Sequence, residues 1–293
     1  MQVTVKVPGS CGELIQGMMG DVNFLVTCPV NCYSLVSIKK NNSGDISVNI
    51  LGKNKLLSAV KETIKMYNFD NRSGYEIILE SDLPIGKGMA SSTADMTAAI
   101  IATAILNDKY LSEDEIAKIL LKIEPSDGIF YQGIVAFDHI HGSYYEKVGD
   151  AFPANFLIYD YGGEVDTIKF NSDPDLKKKN IEKIPVIEKA YFMIKESFLN
   201  KDIKKLGEAI TLSSLGNQKI LYKENLEEII KTALSYNAYG VNIAHSGTLI
   251  GILNDKNTKT EALKKAIKDE YPQLSLLGNY GMVNGGFEYK IRR

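Results

Sequence analysis

Apolar and polar residues alternate through VTVKV (3–7) and DISVNI (45–50), and YSLVSIK (33–39) is rich in β-branched and aromatic residues. With Gly, Asn and Ser punctuating between them, these segments predict strands across the first 50 residues. The period lengthens to a helical one over LLSAVKETIKMYNF (56–69), and YEIILE (75–80) returns to strand character. Thr93 to Leu106 is so rich in Ala, Ile and Met that the predicted helix should be buried on most sides. Ser112 and Glu115 form a capping-box pair ahead of EIAKILLKI, a short helix. A loop, EPSDGIFYQG, comes next, and NFLIYDYGG (155–163) predicts a strand ending in a turn. The Lys-rich stretch 176–183 reads as a solvated helix face or mobile loop. Helices then dominate through VIEKAYFMIKESFL, DIKKLGEAITLSSL and NLEEIIKTALSYN. Strand TLIGILND, helix TEALKKAIKD and a strand near GGFEYKI follow. The pattern is α+β, strand-rich in its first half and helix-rich in its second, with a boundary expected near 150–165.

At 293 residues the chain is long enough for one large domain or two that share an interface. A net charge of −2 gives no field that favours nucleic acid or an anionic membrane, so neither is expected as a partner. MQVTVKVPGS lacks the basic start and apolar run of a secretory signal, and no stretch approaches a membrane span. Together with an odd count of three cysteines, these features predict a soluble cytoplasmic protein. Cys28 and Cys32 lie four apart, and His139 and His141 form an H-x-H pair, a set from which a zinc site can be assembled. The Pro in CPVNC favours small buried thiols on early strands instead, and no structural metal is expected.

The segment SDLPIGKGMASSTADMTAAI (81–100) holds the strongest chemical signal. It is not a Walker loop, because Lys87 is followed by Gly88 rather than Ser or Thr. Gly86 and Gly88 can take positive φ, and successive N–H groups in such a turn form an anion-binding concavity. A helix starting near Ser92 would aim its N-terminal donors at the same place, and Ser91, Ser92 and Thr93 offer hydroxyls to phosphate or metal.

Pro84, Gly88, Ser91, Ser92 and Ala94 match the second motif of the GHMP kinases, P-x-x-x-G-L-G-S-S-A, which the segment resembles. Ala90 stands where the second Gly is usual and removes one free choice of φ. AHSGTLIGIL (244–253), with Ser246 and Gly247, is similar to the glycine-rich third motif, and PGSCGELIQG, with Pro8-Gly9, opens like the first. The three occur in the family's order across nearly the whole chain. Within the superfamily, Ser10 to Gly17 and Lys87 to Asp95, with EPSDG, FDH and YGVNIAHSG, resemble the L-threonine kinases of cobalamin biosynthesis and 1,2-propanediol utilisation.

The resemblance implies a two-domain GHMP kinase fold. A ribosomal-protein-S5-domain-2-like unit would span 1–155 and a ferredoxin-like unit 156–293. ATP and Mg2+ would lie in the cleft between them, and the γ-phosphoryl group would pass to the hydroxyl of free L-threonine. It assigns the ATP loop to Pro84, Ile85, Gly86, Lys87, Gly88, Met89, Ala90, Ser91, Ser92 and Thr93. Asp127 would accept the hydroxyl proton and Lys87 would reach a phosphate. Ser92 and Glu124 would ligate the metal, although the tight EPSD spacing allows Glu124 and Asp127 to exchange roles. Ser10, Cys11, Gly12, Glu13, Asp138, His139, Ser246 and Gly247 would line the acceptor site, with Asp138 or Glu13 on the amine. His139 could instead be a hydrogen-bonded core residue. A monomer or homodimer is expected. Homoserine or serine as the acceptor, or a non-catalytic ligand-binding protein of the same fold, are the alternatives.

Overall fold

A computed structural model of the chain describes all residues except 71, 164–174, 246 and 293. Two long strands, β1 (Gln2–Met19) and β2 (Val22–Asn41), form an antiparallel hairpin at its centre. β1 does not run straight. Its register against β2 shifts at Pro8/Gly9, Ser10/Glu13 and Glu13/Ile15, so PGSCGE bulges out of the ladder. β3 (Ile46–Val48), α1 (Asn54–Tyr67) and β4 (Gly74–Ser81) follow, with β4 on β2 and β3 parallel to β4.

The second half supplies β7 (Asn155–Asp160), β8 (Gly240–Ile243), β9 (Leu249–Asn254) and β10 (Ser275–Gly281). The strands run β10-β7-β9-β8-β1-β2-β4-β3 in one mixed sheet, and β8 meets β1 at a single residue pair, Glu13 opposite Ile243. β5 (Ile134–Phe137) joins β2, β6 (Tyr145–Gly149) joins β5, and β11 (Glu288–Arg292) returns to pair with the start of β1. The boundary expected after residue 155 falls after the first residue of β7. β8 and β10 carry no alternation that sequence reasoning could use: GVNI is four buried residues and SLLGNYG is largely exposed.

α2 (Ser91–Leu106) is buried at every position but Ser92, as its composition predicts. α3 (Glu113–Leu120) carries the expected capping box between Ser112 and Glu115. α4 (Leu176–Asn200) and α5 (Ile203–Asn217) bring Ile187, Ile194, Leu206 and Ile210 into one apolar core with Val5 and Val7 of β1 and Ala98 of α2. α6 (Leu226–Ser235) and α7 (Thr260–Glu270) build a second cluster with Leu157 and Tyr159, while Phe156 and Ile158 face the main core. β7 is therefore buried on both faces, with period-two residues serving two different cores. Among the described residues no helix is long and apolar enough to cross a membrane.

Part of the Lys-rich stretch departs from the expected solvated face. Lys183 is buried, because it lies in phase with Ile187, Ala190 and Ile194 on the inner stripe of α4.

Ala90, the residue before α2, sits at φ +54°, ψ +27° with no side-chain cap. The left-handed turn that glycine would supply is present, but an L side chain is strained there. Ala90→Gly is expected to raise the unfolding free energy by roughly 0.5–1 kcal/mol, the relief of strain less the extra freedom of the unfolded chain. A urea melt with no gain, or a loss, would refute that assignment.

Candidate active site

Three loops from distant parts of the chain dock backbone to backbone at the start of α2. Ser10 N–H donates to the Met89 carbonyl (3.0 Å), Gly12 N–H to the Gly88 carbonyl (3.1 Å) and Thr248 N–H to the Lys87 carbonyl (3.0 Å). The bulges in β1 make the first two possible, since they turn PGSCGE away from β2. Gly12 (φ +51°) and Gly88 (φ +102°) hold left-handed conformations, and a Cβ on Gly88 would strike Ala244. A Cβ on Gly247 would strike the Lys87 carbonyl. Asn242 Nδ2 donates to the carbonyls of Cys11 (2.5 Å) and Glu13 (3.3 Å), fixing the bulge from the β8 side.

The loop itself is graded in exposure. Ile85 and Gly86 lie open to solvent, Pro84, Lys87, Gly88 and Ala90 are half-buried, and Met89 is buried. Lys87 does not hang free. Its ammonium pairs with Asp160 (3.0 Å) at the end of β7 and donates to the Gly163 carbonyl (2.7 Å), bridging the two halves of the chain. Burial works against the Asp160 charge, but the nearby Thr248 side chain, the Lys87 ammonium and the Gly162 N–H outweigh it and hold the carboxyl below its usual range.

Successive residues of α2 receive the two acids of EPSD. Ser92 Oγ donates to Glu124 Oε1, and Glu124 Oε2 is taken by the Lys55 ammonium from the first turn of α1. One position on, Thr93 Oγ1 lies 3.5 Å from Asp127 Oδ2 and 3.4 Å from the Asp127 backbone nitrogen. Ser91 and Thr93 are buried, which leaves Ser92 as the hydroxyl nearest solvent. Ser92 and Glu124 form an all-oxygen pair beside an uncapped helix N-terminus. That chemistry fits a hard cation such as Mg2+, which takes one or two protein oxygens and completes its shell with phosphate and water.

Asp127 keeps some solvent exposure but is ringed by protein. Burial raises its carboxyl to about 7, the charges of Glu13 and Glu124 push the same way, and the Thr93 hydroxyl pulls back. Glu13 is buried and also raised to about 7, chiefly by burial. It accepts from His245 N–H (3.0 Å) and lies 3.1 Å from His245 Nδ1. Burial holds His245 neutral, and its Nε2 lies 3.3 Å from Ser213 Oγ. Around this carboxylate lie two buried lysines, Lys183 and Lys223, each drawn down to about 8 by burial and raised in part by Glu13. Lys223 Nζ donates to the Gly247 carbonyl, and Lys183 Nζ to Asn217 Oδ1 (3.0 Å).

The structure thus gathers Ser10, Gly12, Glu13, Gly88, Met89, Ser92, Thr93, Glu124, Asp127 and Gly247 at one locus, while Ser246 lies outside the described residues. Asp138 is set apart from the amine role. Its carboxylate accepts from the N–H groups of Ile140, His141 and Ser143 and from Ser143 Oγ (2.6 Å), all within its own turn. His139 stands beside the site through its carbonyl, which accepts from Ser126 N–H (3.0 Å). Its ring is lowered to about 4 by burial and is neutral near pH 7, with a buried Nδ1 that has no partner. Cys11 faces Asn242 Oδ1 (3.6 Å) behind the loop, and burial pushes its thiol far up, which disfavours the reactive thiolate. Cys28 and Cys32 are buried thiols as well.

Lys55, Asp160, Lys183, Asn217 and Lys223 were not legible as site residues. Only Lys183 left a signal, its phase on the apolar stripe of α4.

Comparison with known proteins agrees with the geometry. The family described as GHMP kinases N terminal domain matches residues 54–133, and GHMP kinases C terminal matches residues 194–273. An L-threonine kinase of Citrobacter freundii is 29% identical over 303 aligned positions, covering 97% of this chain and 98% of that one. An L-threonine kinase of Salmonella typhimurium is 28% identical, covering 96% and 93%. The crystal structure of a homoserine kinase from Cytophaga hutchinsonii superposes with a TM-score of 0.71 at 16% identity, covering 99% and 97%, a likeness of fold. The two family matches lie in order along the chain and take in the phosphate loop, the EPSD acids and the α5–α7 region, so the protein belongs to the GHMP kinase family.

Proposed function

We propose that the protein transfers the γ-phosphoryl group of ATP to the side-chain hydroxyl of free L-threonine. The products would be ADP and O-phospho-L-threonine, the latter a precursor for the aminopropanol arm of cobalamin. One observation carries the catalytic reading over a binding-only one: Ser92 with Glu124, and Thr93 with Asp127, form a complete set of phosphoryl-transfer groups at the mouth of the loop. Threonine as the acceptor is supported by full-length similarity to two L-threonine kinases. The cleft would lie between a unit of residues 1–155 and one of residues 156–293.

Phosphoryl transfer asks a protein for positioning and charge neutralisation more than for covalent chemistry. Gly86 to Ala90 and the free N–H groups of α2 would wrap the phosphates, and Lys87 would exchange Asp160 for a phosphate oxygen. Ser92 and Glu124 would hold Mg2+, which neutralises phosphate charge when bound, and Lys55 would then give up its carboxylate oxygen. Asp127 would accept the hydroxyl proton. A carboxyl held near 7 is well matched to that task, because it is partly ionised at neutral pH yet basic enough to take a proton.

Magnesium-dependent ADP release with threonine, serine and homoserine side by side is expected to be fastest with threonine. Turnover of homoserine alone, or of none of the three, would sink the assignment. Asp127 works as a base only when ionised, so kcat/KM is expected to rise with pH through about 7. The same limb surviving in Asp127→Asn would remove Asp127 from the role. Asp127→Asn is expected to lower kcat by about 100-fold or more while ATP binding holds within about threefold. Near-normal turnover would count against it.

A further inference from the structure

Lys183 is 5% exposed, and among the described residues no carboxylate lies within ion-pair distance of it. Its one hydrogen bond goes to a neutral amide oxygen, Asn217 Oδ1 (3.0 Å). An ammonium so placed has lost its water without gaining a direct ion pair, although the Glu13 charge acts on it from further off, and such an arrangement is costly. Beside it, Asn217 is 1% exposed and its Nδ2 is a buried donor with no partner among the described residues. The two donors adjoin each other, since Lys183 holds the other end of the same amide. Ser10 Oγ, in the loop before Glu13, is a further buried polar atom without a partner. Asn217 lies one helical turn beyond Ser213 on α5, the Ser213 hydroxyl is 3.3 Å from His245 Nε2, and Nδ1 of the same ring is 3.1 Å from Glu13, whose charge acts on both Lys183 and Asp127.

We propose that Lys183 and Asn217 bind the carboxylate of the acceptor amino acid, with Glu13 facing its ammonium group and Asp127 its hydroxyl. The assignment rests on the reading of the acceptor as a small hydroxy amino acid. A zwitterion carries both charges on one carbon. The site supplies the complement: a cation and an amide N–H2 tied towards Glu13 through Ser213 and His245, and a proton acceptor, Asp127, that feels the same Glu13 charge. A carboxylate arriving at Lys183 supplies the direct ion pair it lacks and satisfies Asn217 Nδ2 at once. Lys223 adds positive potential from the far side but is tied to the Gly247 carbonyl, where it holds the third loop. A hydroxy compound without the carboxylate would leave the same two donors buried and unmet, so these groups discriminate amino acids from amino alcohols.

The test pairs each amino acid with its decarboxylated counterpart: L-threonine with (R)-1-aminopropan-2-ol, serine with ethanolamine, homoserine with 3-aminopropan-1-ol. Wild-type enzyme is expected to prefer the amino acid it uses over its amino alcohol by about tenfold or more in kcat/KM. Lys183→Met, which keeps the volume of the side chain, and Asn217→Asp are each expected to collapse that preference to within about twofold. The KM for ATP should change less than about twofold in both. Asn217→Asp also guards against misfolding, because it gives Lys183 an internal counter-charge, and its melting temperature is expected to hold or rise. If wild type uses an amino acid but the preference survives in both variants, the carboxylate assignment falls and the kinase reading stands. Equal use of amino acid and amino alcohol by wild type overturns it without any variant. If no amino acid in the panel is phosphorylated, both readings fall together.

Discussion

Everything the site does depends on three backbone carbonyls, those of Lys87, Gly88 and Met89. Each accepts an N–H from a loop outside the phosphate turn, two from the bulged part of β1 and one from the segment before β9. The junction leaves no room for a Cβ on Gly12, Gly88 or Gly247, each of which would strike backbone or side-chain atoms of a neighbouring loop. The loop is thereby shaped by its neighbours before any nucleotide arrives. Such preorganisation is what phosphate binding by N–H groups needs, since those donors cannot reorganise cheaply during transfer. Ala90 is the one strained member of the set, and the docking of the other two loops holds it in place.

Below that junction the interior is polar in a way that small cores rarely are. Glu13, His245, Lys183, Lys223 and Asp127 share a volume with little water, so the charge of each is set by the rest. The raised carboxyls and lowered lysines share one cause, since burial disfavours both charged forms; attraction between Glu13 and the two lysines offsets part of that cost, whereas Asp127 is pushed further up by Glu13 and Glu124. Removing one member would shift the others, so variants at this locus should be compared by pH profile as well as by rate.

Much of the fold was legible because its signals are local. The α2 composition announced a buried helix, and Ser112 with Glu115 announced the α3 cap that forms. The glycine turn before α2 was legible from its residue types, whereas its phosphate role and the choice of the EPSD acids came from the family resemblance. What escaped was whatever depends on contacts far apart in sequence. Asp160 gains its meaning from Lys87, and Asn217 from Lys183. A lysine-rich run reads as solvent-facing on composition, yet the helical phase of Lys183 overrides it. Asp138 went the other way, since a charged residue in a polar motif turned out to be serving its own turn. β8 and β10 escaped because four residues are too few for a period and an exposed edge needs no apolar alternation.

The pairing of β1 has a consequence for how the protein is made. Residues 2–6 lie against residues 288–292 on one side and residues 35–39 on the other. During synthesis the β2 partner emerges at once, but the β11 partner follows only after nearly all of the intervening chain has left the ribosome. Until then the edge of β1 that β11 will cover presents unpaired N–H and C=O groups beside an apolar face, a template for association with other nascent chains. Contacts of such long sequence separation also slow the final closure. The hairpin that organises the three docked loops can thus pair along β2 early, yet is completed only when β11 arrives.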